Sequence, residues 1–89
     1  MRIRFSPDFI KQLKKIKRTD QELLIQINKQ IKLFQSSPRH PSLRTHKLTG
    51  MMKNRWSVSV SKSLRMVYIL LEGDTAYFII VGTHDQVYR

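Results

Sequence analysis

The chain reads as an α+β domain in the order β-α-α-β-β-β, with a helical hairpin packed on one face of a mainly antiparallel sheet. Three observations predict this: two adjoining segments with apolar residues at helical spacing, a stretch of period-two alternation, and an apolar run bounded by turn residues. Eighty-nine residues, 40% of them hydrophobic, suffice for one domain (1–89) with a modest core.

Arg2-Ile3-Arg4-Phe5 alternates basic and apolar residues and predicts an opening strand. Ser6-Pro7-Asp8 then supplies a hydroxyl cap, a proline at the first helical position and an acid in the first turn. Phe9, Leu13 and Ile16 form the apolar stripe of this helix, Lys11, Lys14 and Lys15 face water, and the helix should stop near Arg18. Thr19 and Glu22 have capping-box spacing and predict the start of a second helix. Its stripe is Leu24, Ile27, Ile31 and Phe34, with Leu23 beside it, and its polar face is Gln26, Lys29, Gln30 and Lys32. With almost no linker between them, the two helices should form an antiparallel pair, ended by Gln35-Ser36-Ser37-Pro38.

Residues 36–53, carrying Pro38, Pro41 and Gly50, read as an irregular loop long enough to suggest a functional role. Trp56, Val58 and Val60 alternate with Ser57, Ser59 and Ser61, a half-buried strand with its serines outward. Lys62-Ser63 turns the chain into the strand Leu64–Leu71, and Glu72-Gly73-Asp74-Thr75 turns it again. Ala76 to Val81 has the unbroken apolar character of a strand buried on both faces. Gly82-Thr83 breaks it, leaving the tail His84 to Arg89.

Seventeen Lys and Arg against six Asp and Glu give a net charge of +11. No acid occurs between Glu22 and Glu72, where nine Lys and Arg fall, and Lys11, Lys14, Lys15, Lys17 and Arg18 precede them. A field of one sign on this scale attracts polyanions, and phosphate backbones are the commonest of these in cells. No cysteine is present to form a disulfide or a thiolate zinc site. No apolar run approaches the roughly 20 residues of a bilayer span, and Met1 to Asp8 does not read as a signal peptide. The expectation is a cytoplasmic protein that engages no membrane.

The three histidines, His40, His46 and His84, fall in no metal-binding spacing, and there is no glycine-rich phosphate loop, so neither a metal nor a cofactor is expected. The remaining polar residues suit metal-free cleavage of RNA. That reaction needs a base for the ribose 2′-OH, cations for the charge developing at phosphorus, and an acid for the leaving 5′-oxygen, and it yields a 2′,3′-cyclic phosphate. His84 directly follows the apolar strand and is the first candidate for acid or base, an ordinary surface histidine being the alternative. Arg65 alternates with Val67 and Ile69, placing a planar cationic fork on an otherwise apolar face, or simply reaching solvent near the strand end. His46 is a second acid–base candidate. Arg44, Lys47, Lys53 and Arg55 surround it in sequence as candidate RNA-phosphate contacts. Tyr88 suits base stacking or proton donation, or packing at a sheet edge, and Trp56 reads as core, a platform for a base being the alternative.

The segments His46-Lys47-Leu48-Thr49-Gly50, Arg55-Trp56, Leu64-Arg65-Met66-Val67-Tyr68 and Val81-Gly82-Thr83-His84-Asp85-Gln86-Val87-Tyr88, following a helical hairpin, together resemble the RelE/ParE superfamily of bacterial type II toxins over the whole chain. The resemblance is to the branch that ends in Gly-Thr-His followed by an aromatic residue. It implies a ribosome-dependent mRNA endonuclease neutralised by a small acidic antitoxin or, in the ParE branch, a gyrase inhibitor without catalysis. It implies acid–base work for His84, the following aromatic for Tyr88, a contact to the scissile phosphate for Arg65, and the loop histidine of YafQ-like toxins for His46. Two departures stand out. The YafQ-like branch has a histidine and an aspartate where this chain has Ser59 to Ser63, and the RelE type has no histidine at the place of His84. The site is therefore a hybrid of the two, and a weakly active member of the superfamily is a third reading.

Overall fold

The computed structural model describes residues 1–48 and 54–88. In chain order these form β1 (Arg2–Phe5), α1 (Pro7–Thr19), α2 (Gln21–Ser36), a 3-10 turn (Pro41–Leu43), β2 (His46–Lys47), β3 (Arg55–Ser59), β4 (Leu64–Leu71), β5 (Thr75–Thr83) and one closing turn, α3 (His84–Val87). The strands make a single sheet in the order β1-β5-β4-β3-β2. β1 runs parallel to β5 and every other pairing is antiparallel. The expected α+β architecture holds, with one more strand than the alternation suggested. β2 lies inside the stretch expected to be irregular, because two residues are too few to carry a period.

Ser6 caps α1, its hydroxyl accepting the Phe9 N–H at 3.0 Å, and its own N–H donates to the Phe78 carbonyl at 2.9 Å. The start of α2 differs from expectation. Thr19 ends α1, its hydroxyl donating back to the Lys15 carbonyl, and Asp20 caps α2 by accepting the Leu23 N–H at 3.1 Å. Asp20 also donates its backbone N–H to Ile16, so one extended residue closes the first helix and opens the second. That economy sets the tight hairpin.

The hairpin covers one face of the sheet. Phe9, Ile27 and Phe34 meet Val58, Met66, Tyr68 and Phe78, all buried. Phe34 lies 5.0 Å from Tyr68 and 5.5 Å from Phe78 between ring centroids, and Phe9 lies 5.8 Å from Phe78, so the core is an aromatic cluster held by tilted and edge contacts. On α2, Leu23 rather than Leu24 packs against this cluster.

Two helix glutamines turn inward to the sheet. The Gln12 amide donates to the Val81 carbonyl at 2.8 Å and accepts its N–H at 2.9 Å, filling the place of a neighbouring strand where β1 has ended. Gln30, expected on the solvent face, donates to the Ser59 carbonyl. Both satisfy strand groups that would otherwise be buried without partners.

The second face of the sheet has no long helix. A smaller apolar cluster of Leu48, Val67 and Val87, flanked by Ile79, Ile80 and Tyr88, sits there under α3. An irregularity opposite Val67 and Tyr68 leaves Ile79 without a paired residue, so both Ile79 and Ile80 serve this cluster. The serine side of β3 is consequently not an exposed polar face: Ser57 has no solvent exposure at all. The tail folds back over it, which strand alternation alone does not reveal.

Candidate active site

The site is built on the second face, from the ends of β4 and β5 upward. β5 runs through Gly82 to Thr83 without breaking. Gly82 is needed there for space, since a Cβ at that position would lie 2.7 Å from Oε1 of Gln86. That oxygen accepts the Thr83 N–H at 2.8 Å, and the Thr83 hydroxyl accepts the Gln86 N–H at 3.3 Å, a reciprocal cap that starts α3 directly on the strand end. His84 is the first residue of the turn, and its carbonyl accepts the Tyr88 N–H at 3.0 Å. One helical turn separates the two residues, so their side chains share a face. Their ring centroids are 4.2 Å apart.

Tyr88 reaches inward from there. Its hydroxyl lies 2.6 Å from Oγ of Ser57, and that same oxygen accepts the Nε–H of Arg65 at 2.9 Å. Arg65 further donates through Nη2 to the Arg44 carbonyl at 2.6 Å and more weakly to the Ser57 carbonyl. Arg44 itself is in the left-handed conformation, φ 44°, at the end of the 3-10 turn. The guanidinium thus bolts the loop before β2 to the sheet, leaving the Nη1 protons without a partner among the described residues. His46, opposite Ser57 in the β2–β3 register, sets its ring edge-on to Tyr88 at 6.4 Å. Two exposed imidazoles therefore flank one tyrosine, which is tied through a buried serine to a half-buried arginine.

The structure brings together His46, Arg65, His84 and Tyr88 of the residues singled out from sequence. Arg55, two residues before Ser57 on β3, shares their face. Arg44 contributes its carbonyl to the network and also lines a cleft on the other face of the sheet. Lys47 points to the opposite face, its ammonium 5.7 Å from the Trp56 ring centroid, so it does not accompany Arg65. Lys53 lies outside the described residues. Ser57 is the participant that sequence reading missed. Its only signal was a serine in register with His46 and beside Arg65, which pairing alone makes visible.

Charge around the site is nearly unopposed. The Nδ1 of His84 is 3.7 Å from the Asp85 carboxylate, but the two side chains are 75% and 93% exposed, so that pair is weak. Among the described residues no Lys or Arg is ion-paired with an acid, and no group of three metal-binding side chains occurs. Among the described residues no helix is long and apolar enough to cross a membrane.

No protein-family model and no curated protein sequence matches the chain. Solved structures do. A YoeB/ParE toxin from Agrobacterium tumefaciens superposes with a TM-score of 0.79 at 22% identity, covering 94% of this chain and 99% of its own. YafQ from E. coli strain BL21(DE3) gives 0.75 at 19% identity, with both chains covered completely. The toxin of a heterotetrameric YoeB–YefM toxin–antitoxin complex from Staphylococcus aureus gives 0.77 at 19%, covering 94% and 97%. The fold is that of these YoeB/ParE and YafQ structures.

Proposed function

We propose that this chain, folded as the YoeB and YafQ toxins are, is the toxin of a type II toxin–antitoxin system and an endoribonuclease that cleaves mRNA on the ribosome without a metal. The observation that carries the reading is the convergence of His46, His84 and Arg65 around Tyr88 and Ser57 on one open face of the sheet. In the proposed step one imidazole takes the 2′-OH proton, the 2′-oxygen bonds to phosphorus, the bond from phosphorus to the 5′-oxygen breaks, and the other imidazole protonates that oxygen. The free Nη1 protons of Arg65 face the charge developing on the phosphoryl oxygens. Tyr88, with its hydroxyl turned to Ser57 and a ring face against His84, holds the imidazoles in place and does not itself transfer the proton.

The cationic surface supports docking on a larger polyanion. Lys11, Lys14, Lys17 and Arg18 line a hollow on α1, across the sheet from the imidazoles. Ribosomal RNA would meet such a surface during cleavage, and an acidic antitoxin would meet it in the inactive complex.

Induced expression followed by mapping of new 5′ ends tests the reading. Cleaved translated messages with 2′,3′-cyclic phosphate ends are expected. His84→Ala should lower cleavage by about 10²- to 10⁴-fold while leaving the melting temperature and antitoxin binding unchanged. Growth arrest with intact transcripts would replace this reading by that of a gyrase inhibitor.

A further inference from the structure

A cleft of 530 Å³ opens on the helix side of the sheet, on the opposite face from His46 and His84. Trp56 and Tyr68, register partners on β3 and β4, both line it, the indole half-buried and the phenol buried, continued by Leu70. Arg39 and Arg44 are exposed at the rim and make it cationic, and His40 lines it too, fixed on the 3-10 turn with its Nδ1 accepting the Ser42 N–H at 3.1 Å. No acidic residue lines it. The volume lies within the range of small-ligand sites. A half-buried indole beneath two guanidinium groups suits a nucleotide, whose base stacks and whose phosphate meets the cations. An acidic peptide would answer the cations but leave the indole without a planar partner.

The cleft also adjoins the candidate active site. β2 is the edge strand, and its two residues face opposite ways: His46 stands beside Tyr88, while Lys47 sets its ammonium over Trp56. Arg44 lines the cleft and accepts Arg65 with its carbonyl. The two places lie on opposite faces of the sheet near its β2 edge, and Arg44 in the loop before β2 belongs to both. We infer that this cleft is a second nucleotide subsite, in which Trp56 stacks on a base of single-stranded RNA lying over the β2 edge and Arg39 and Arg44 hold its phosphates. The inference takes its substrate class from the nuclease reading above.

Trp56 is the single tryptophan of the chain, so its emission reports on this cleft alone. Titration is best made with the His84→Ala chain, which leaves the probe intact, using an oligouridylate of about five nucleotides. Saturable quenching of Trp56 that weakens with salt is expected. Arg39→Ala and Arg44→Asn, the latter chosen because asparagine accepts the left-handed backbone, should each reduce the salt slope by about 1 and together weaken binding about tenfold or more. Both should melt as the parent does. A short oligoglutamate should leave the emission unchanged. Binding seen by anisotropy of a labelled oligonucleotide with unaltered Trp56 emission overturns the subsite, as does the absence of any binding. Equal quenching by oligoglutamate overturns it in favour of an acidic-peptide site. Message cleavage judges the nuclease reading separately: quenching without cleavage leaves the subsite standing, and cleavage without quenching removes the subsite alone.

Discussion

The two faces of the sheet are built by different physics. Under the hairpin, Phe9, Phe34, Met66 and Phe78 are wholly buried, and the contacts are aromatic and aliphatic. On the other face one helical turn and one tyrosine cover a serine and an arginine, and directional hydrogen bonds do much of the holding. The first face can lose an individual contact and remain the same kind of surface. The second depends on a few angles, so small changes there should alter chemistry more than stability.

The comparison is broken most directly by truncating the aromatic cluster. Phe34→Ala should cost about 3–5 kcal/mol in denaturant unfolding; a loss below about 1 kcal/mol would mean that the helix face is not the main source of stability. Gly82→Ala comes next. It drives a methyl into the Gln86 amide, and a destabilisation of about 1–3 kcal/mol should accompany a fall in cleavage, since α3 carries His84. Unchanged cleavage in that variant would detach catalysis from the placement of the turn.

Ser57→Ala leaves Tyr88 and Arg65 without their shared partner and should cost about 1–2 kcal/mol. Its cycle with Tyr88→Phe sharpens the contrast. A coupling of about 0.5 kcal/mol or more is expected, whereas additive losses would show that the 2.6 Å contact carries no weight.

The smallest effect belongs to Tyr68, whose burial raises its phenol above the usual 10.0. The unfolded chain ionises this group at lower pH than the folded one. Its contribution is therefore full below about pH 10 and is lost as pH rises through the folded value. Tyr68→Phe should flatten the alkaline end of the stability profile, and an identical profile would remove this assignment.

How far each face was legible follows from the same contrast. Hydrophobic periodicity reports burial against a large neighbour, so α1, α2, β3, β4 and β5 could be read, along with the helix-side core. It does not report what a tail does. Ser57 looked like an outward serine until α3 and Tyr88 closed over it. Gly82 looked like a strand breaker, although its role is to make room for Gln86. Asp20 took the cap expected of Thr19 because α1 extends through that threonine. His84 and Tyr88 were legible as residue types at a four-residue spacing, but their link to Arg65 needed the strand register. Lys47, next to His46 in sequence, faces the other way for the same reason.

The parallel pairing of β1 constrains the order in which the chain can assemble. Arg2 lies opposite Thr75, so β1 has no partner until β5 has been made. Until then the rings that end up beneath the hairpin have no Phe78 to meet. Contacts this distant in sequence close slowly, which leaves the partly made chain open to chaperones and proteases in the meantime.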